Sequence, residues 1–301
     1  MAEKQGKLGD NWNDCAGRLL LKLGWQHIGD SNMDLPGSDD KEYGVDSIYK
    51  YTVAGRTTMQ TVILESKRYQ QSSISASNLQ KWVERLKEKL SQLRNSKELM
   101  NQFPELEDCS PTNLGIIMCW VHDAEKKYLN ETFQRYLESI IINTGAKSGA
   151  YSRIIVLDNR RIVKLCSMID ELNKYDDYDF VYPSGIIDND VLIKQKVLSI
   201  EYMMSDIIIA EGRKDDKIFS VVFFFGQITE SSVSSLLEFL QVYQRIENKK
   251  PLVIYYYDRI DNAIDVINSF KEKDCYKGIL EFKTPTHYAL DCEPSIIANN
   301  D

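Results

Sequence analysis

The chain has 301 residues, 43% of them hydrophobic and 27% charged, which is the balance of a water-soluble globular protein with one large or two ordinary domains. No run of eighteen apolar residues occurs and MAEKQGKLGDNW lacks the apolar core of a signal peptide, so neither a membrane span nor secretion is expected, and a cytoplasmic location is the default. Six scattered cysteines without a C-x-x-C pair, and only three histidines (His27, His122, His287), argue against a zinc site or a disulfide framework.

The net charge of −8 argues against a general nucleic-acid coat protein, but it is unevenly spread. Residues 1–97 carry fifteen Lys/Arg against twelve Asp/Glu, a net +3, which leaves −11 for residues 98–301. Eight of the basic residues lie between 65 and 97. That pattern suits a polyanion approaching the N-terminal half, and equally a solvated helix face.

Residues 10–24 read as a helix: Asp10 can cap it, Trp12, Ala16, Leu19, Leu20 and Leu23 recur at helical spacing, and Gly24 can end it. Asp14 lies near its start, either as an exposed first-turn carboxylate or pointing along the helix toward the charges that follow. A short strand, 25–28, and a loop, 29–42 (rich in Asp, Ser, Gly and Pro), come next.

From Gly44 to Lys67 two alternating runs flank Gly55-Arg56, the pattern of a hairpin with a two-residue type II′ turn. With that turn, cross-strand partners have numbers adding to 111, so Asp46 faces Glu65. Lys67, two places on, points to the same side. Two carboxylates and an ammonium are thereby expected on one face. Two readings remain open: a surface ion-pair cluster worth little, or a site for a divalent cation. In the second, Asp46, Glu65 and the Ser66 backbone carbonyl supply hard oxygens suited to Mg²⁺, with Mn²⁺ as a substitute, and Lys67 orients an attacking water or stabilises charge on a phosphate.

Ser77-Asn78-Leu79-Gln80 has capping-box form and opens a helix over 77–99, with Leu79, Trp82, Val83, Leu86, Leu90 and Leu93 as its apolar stripe. Trp82 reads as core rather than as a base-stacking platform. After turns at Phe103-Pro104 and Ser110-Pro111, Leu114–Val121 reads as a buried strand, followed by a helix over 124–143, a strand over 153–158 and a helix over 160–174. Residues 175–185 read as a linker. A shift of 160 then lays Asp206 on Asp46 and VFFFGQ (222–227) on VILESK (62–67), with a second hairpin turning at Asp215-Asp216. A helix over 230–246, a strand over 252–257, a helix over 262–273 and a strand over 278–282 complete the plan. Phe225 and Gln227 replace the glutamate and lysine, so this copy lacks the same chemistry.

Gly44-Val45-Asp46, the hairpin and Ile63-Leu64-Glu65-Ser66-Lys67-Arg68-Tyr69 resemble the PD-(D/E)xK nuclease superfamily, and most its Mrr-type branch. The likeness covers roughly residues 10–160 and includes the helix DCAGRLLLKLGW (14–25), although Asp14 stands where Glu is usual and Val45 where the motif name has Pro. It implies a restriction-endonuclease-like α/β fold, a mixed sheet flanked by helices, over 1–175. The internal shift of 160, not the resemblance, leads to the expectation of a second α/β domain over 186–301, a degenerate copy serving regulation or assembly. The resemblance further implies Asp46 and Glu65 as metal-binding acids, Lys67 as the catalytic lysine and Asp14 as an accessory acid. The activity expected is Mg²⁺-dependent endonucleolytic hydrolysis of DNA. Arg68, Lys81, Arg85 and Lys89 would hold the nucleic-acid backbone. With no recognisable DNA-reading module in the chain, control by a partner subunit or homodimer mate and a role in defence against foreign DNA such as phage are expected. The rivals are a non-catalytic assembly subunit, and the same chemistry on RNA or branched DNA.

Overall fold

The structure, a computed structural model, describes residues 2–94, 96–141, 152–182, 193–243, 250–257, 262–273, 276 and 278–298. It divides into two compact units, Met1–Cys166 together with Tyr288–Asp301, and Ser167–His287. Both are α/β. Among the described residues no helix is long and apolar enough to cross a membrane.

In the first unit, helix α1 (Ala2–Lys22) begins well before Asp10. Its stripe of Trp12, Ala16, Leu19, Leu20 and Leu23 is buried, and Gly24 ends it at φ +86°. Strand β1 (Gln26–Ile28) follows. The segment expected to be a loop holds strand β2 (Met33–Pro36), paired with β3 (Glu42–Val45). Its Asp-, Ser- and Gly-rich composition hides buried Leu35, which packs with Val45 in the core beneath the sheet.

Strands β4 (Ser47–Thr52) and β5 (Met59–Tyr69) form the antiparallel hairpin. Every pair from Ser47↔Leu64 to Thr52↔Met59 keeps the expected register. The turn differs: Arg56 N–H donates to the Val53 carbonyl (3.0 Å), and Gly55 at φ +73° takes the third turn position, not the first of a two-residue loop. A positive φ there is what calls for glycine.

Helix α2 (Ala76–Leu93) is capped by Ser75, whose hydroxyl accepts from Asn78 N–H at 3.2 Å, so the Ser77/Gln80 box is not used. The long helix expected to 99 stops at Leu93, and α3 (Lys97–Gln102) restarts with Ser96 as its cap. Strand β6 (Cys109–Val121) runs parallel to β5 and absorbs Ser110-Pro111, expected as a turn. The register shifts there, Gln60 facing Ser110 and Val62 facing Leu114. A bulge of this kind accommodates a proline that has no N–H to donate.

A π-helical turn, Tyr128–Phe133, continues into α4 (Gln134–Glu138), shorter than the helix expected over 124–143, whose end lies outside the described residues. Strand β7 (Arg153–Leu157) closes a sheet of order β1-β4-β5-β6-β7, and α5 (Asn159–Leu172) follows. Ile48, Ile63 and Ile117 of the sheet pack against Val83, Leu86 and Leu90 of α2. Gly115 makes that close approach possible, because a Cβ there would lie 2.7 Å from Leu86. On α1, Trp12 donates to the Met118 carbonyl at 3.0 Å and its ring lies 5.3 Å from that of Trp120.

The second unit contains β8 (Asp177–Tyr182), β9 (Ile193–Gln195), α6 (Ile200–Met203), β10 (Ile207–Lys214), β11 (Lys217–Phe224), α7 (Glu230–Val242), β12 (Leu252–Tyr256), α8 (Ala263–Lys271) and β13 (Leu280–Lys283). Strand β8 lies within the stretch read as a linker; Phe180 and Val181 are fully buried, while Asp177 and Asp179 pair with Lys196. Residues 183–185 of that stretch lie outside the described residues. The second hairpin keeps its expected register from Ile207↔Phe224 to Lys214↔Lys217. Asp215 and Asp216, both at positive φ, make a two-residue turn of type I′ form. An antiparallel hairpin followed by two parallel strands, β10-β11-β12-β13, repeats the arrangement β4-β5-β6-β7. Helix α9 (Ser295–Ala298) returns to the first unit and packs on α1.

Candidate active site

The hairpin register brings Asp46, Glu65 and Lys67 together at one end of the sheet. Asp46 immediately precedes β4, and its backbone is firmly held: its carbonyl accepts from Asn32 N–H (2.8 Å), the Ser47 hydroxyl (2.5 Å) and Asn13 Nδ2 (3.3 Å). Its carboxylate oxygen Oδ2 accepts from Ser66 N–H at 2.5 Å.

Glu65 is only 8% exposed, and a buried carboxylate must be compensated. Two ammonium groups do so. Lys67 Nζ lies 2.9 Å from Oε2, and Lys89 of α2 closes on Oε1. Lys67 Nζ also donates to the Ser66 carbonyl at 3.2 Å and stands 3.9 Å from Asp46 Oδ2. Burial works against the charge on Lys67, but Glu65 and Asp46 beside it hold its pKa above the ordinary lysine value. Burial raises the Asp46 pKa, Lys67 opposes the rise and Glu65 adds to it.

The first helix contributes a residue that the sequence reading missed. Asn13, 5% exposed, accepts from the Ser66 hydroxyl at 3.2 Å and donates to the Asp46 carbonyl, so it ties the backbones bearing both acids to α1. Asp14 is exposed, and among the described residues no hydrogen bond or ion pair joins it to Asp46, Glu65 or Lys67. Asn13 sits three and seven residues before Ala16 and Leu20, on the buried stripe; helical spacing was the signal that could have found it.

The four basic residues expected to hold nucleic acid divide. Lys81 and Arg85 are exposed. Lys89 is committed to Glu65, and Arg68 Nε donates to Glu293 Oε1 at 2.7 Å. A charge-only reading could not see either partner, since Glu293 is 225 residues away.

The donor set fits a hard divalent cation. Two carboxylates and a backbone carbonyl converge on Lys67, and they are the oxygen types that Mg²⁺ takes in small number beside water and phosphate. Among the described residues no group of three or more His, Cys, Asp and Glu side chains is gathered for a metal. In the second unit the corresponding positions are exposed Asp206, buried Phe225 and exposed Gln227, which bring no second carboxylate to Asp206.

Residues 1–161 match the family described as GAPS4 protein PD-(D/E)XK nuclease domain. No curated protein and no solved structure matches the chain. The matched span runs from α1 through β7 into the start of α5, and so takes in Asn13, Asp46, Glu65, Ser66, Lys67 and Lys89. By this match over more than half its length, the chain belongs to the family of GAPS4 protein PD-(D/E)XK nuclease domains.

Proposed function

We propose that the chain is a divalent-metal-dependent endonuclease that hydrolyses phosphodiester bonds of DNA, with its site at Asp46, Glu65 and Lys67. The observation that carries the reading is the Lys67 ammonium held against Glu65 Oε2 and the Ser66 carbonyl, beside Asp46, inside a nuclease domain. Asp46, Glu65 and the Ser66 carbonyl would hold the metal, Mg²⁺ or Mn²⁺, which when bound supplies Lewis-acid stabilisation of charge on the phosphate. Lys67, kept protonated by its two carboxylate neighbours, orients the attacking water and donates hydrogen bonds to phosphate oxygen. Lys89 fixes the rotamer of Glu65, and Asn13 holds the spacing between the two acid-bearing strands. Lys81 and Arg85 contact backbone phosphates without reading bases.

With this reading go three further ones: descent from the Mrr-type branch, a second unit that regulates the nuclease or assembles it with a partner subunit or a second copy, and a role in defence against foreign DNA. The second unit supports its assignment by repeating the hairpin and parallel strands without the charges.

Incubating the purified chain with plasmid, single-stranded DNA, tRNA and a four-way junction, each with Mg²⁺ and with EDTA, tests the proposal. Cleavage of DNA in Mg²⁺ that stops in EDTA is expected; cleavage that survives EDTA, or that is confined to tRNA, contradicts it. One observation favours a non-catalytic subunit instead: two lysines already neutralise Glu65. Calorimetric titration with Mn²⁺ separates the two, since an inert cluster gives no binding sensitive to Asp46→Ala.

A further inference from the structure

Beyond the metal-binding acids, one face of the first unit carries an aromatic pair with no role in the chemistry above. Tyr69 ends β5, and on a strand residues 65, 67 and 69 point to the same side. Tyr69 therefore stands two residues, roughly 6.6 Å, beyond Lys67 along the strand. Tyr69 is 38% exposed. Beneath it lies Trp82 of α2, centroids 5.1 Å apart and planes at 22°. Trp82 is half-buried and packs against two clusters of the core, which makes it a rigid support.

Two contacts fix how α2 runs along β5. Trp82 meets Tyr69 and Lys89 meets Glu65, so the helix descends the strand in the opposite direction. Arg85 follows Trp82 by three residues and precedes Lys89 by four, which puts it on the same helix face between those contacts, level with Lys67. It is exposed. An aromatic shelf, an exposed guanidinium and the Lys67 ammonium thus lie in a row along one edge of the site.

We infer that Tyr69, backed by Trp82, is a stacking platform for one unpaired nucleobase of the substrate strand, with Arg85 taking the adjoining phosphate. Stacking on an aromatic shelf needs a base free of its partner, so the subsite selects single-stranded or locally opened nucleic acid over closed duplex. The inference rests on the nuclease reading, which it deepens by naming the strand state of the substrate.

The test is fluorescence anisotropy of a labelled single strand and its duplex on the full chain in EDTA, which keeps binding apart from cleavage. Tyr69→Leu is expected to weaken single-strand binding at least tenfold, about 1.4 kcal/mol, while duplex binding changes less than twofold and Tyr69→Phe binds as wild type. Moving one abasic site along the strand should reproduce the loss at a single position and add nothing further in Tyr69→Leu. Thermal melting of each variant shows whether it is folded, and Tyr69→Phe keeps the test valid if the leucine variant is not. Equal single-strand affinity in wild type and Tyr69→Leu, or an abasic loss that is the same in both, overturns the platform. If the wild type shows the abasic coupling but cleaves nothing in Mg²⁺, the hydrolase reading fails and the platform stands; if it cleaves without the coupling, the platform alone fails.

Discussion

The Ser66 hydroxyl donates to Asn13 Oδ1 at 3.2 Å, and that bond joins the first helix to the strand bearing Glu65 and Lys67. The same amide donates to the Asp46 carbonyl at 3.3 Å. Asn13→Ala removes both bonds and leaves buried polar atoms short of partners, at a cost of about 1–3 kcal/mol. A role for Asn13 in positioning the two acids predicts a kcat lower by tenfold or more with KM nearly unchanged. Steady-state kinetics beside chemical denaturation check this, and an unchanged kcat contradicts it.

Lys89 and Lys67 share one carboxylate. Lys89→Met leaves Glu65 Oε1 without its ion pair in a buried setting and should destabilise the fold by about 1–3 kcal/mol. Combined with Glu65→Gln, which no longer needs two ammonium groups, the change should cost clearly less than the sum of the two single costs. If Lys89 instead serves only to hold nucleic acid, Lys89→Met weakens substrate binding and leaves stability alone. A denaturation double-mutant cycle distinguishes the two.

The C-terminal segment is part of the first unit. Ile297 of α9 is fully buried, and Arg18 Nε donates to its carbonyl at 2.5 Å. Ile297→Ala should therefore cost about 2–5 kcal/mol, read by urea denaturation. A loss below about 0.5 kcal/mol would show that the segment is dispensable.

His27 sets an acid limit on stability. Burial holds its pKa below the ordinary histidine value, with Asp30 opposing, and among the described residues its buried Nε2 has no hydrogen-bond partner. The unfolded chain then binds a proton that the folded one resists, so stability is lost as pH falls below about 6.5 until the folded group also titrates. Melting temperatures at acid and neutral pH should differ less for His27→Phe than for wild type; equal differences contradict the assignment.

Both hairpins were legible because alternation with period two fixes which residues face each other, and a register holds even when the turn is misread. Val53–Arg56 is such a case, since a longer connection centred on the same point preserves every pair from Ser47↔Leu64 onward. The nearness of Asp46, Glu65 and Lys67 follows from that register. Strand β8 was not legible, because Asp177 and Asp179 look solvated until Lys196 is placed beside them. Lys89 on Glu65 and Arg68 on Glu293 depend on tertiary packing, which local pattern does not encode. Asn13 lies within reach of helical periodicity but carries no charge to mark it, unlike its exposed neighbour Asp14.

In the proposed function Lys67 and the two acids beside it make one hydrolytic site. Mg²⁺-dependent DNA cleavage and Mn²⁺ binding by Lys67→Ala, measured together on folded protein, test it most directly. Removing the ammonium from among the Asp46, Glu65 and Ser66 oxygens should leave Mn²⁺ binding intact or tighter while cleavage is abolished. Cleavage by Lys67→Ala at the wild-type rate would contradict the account.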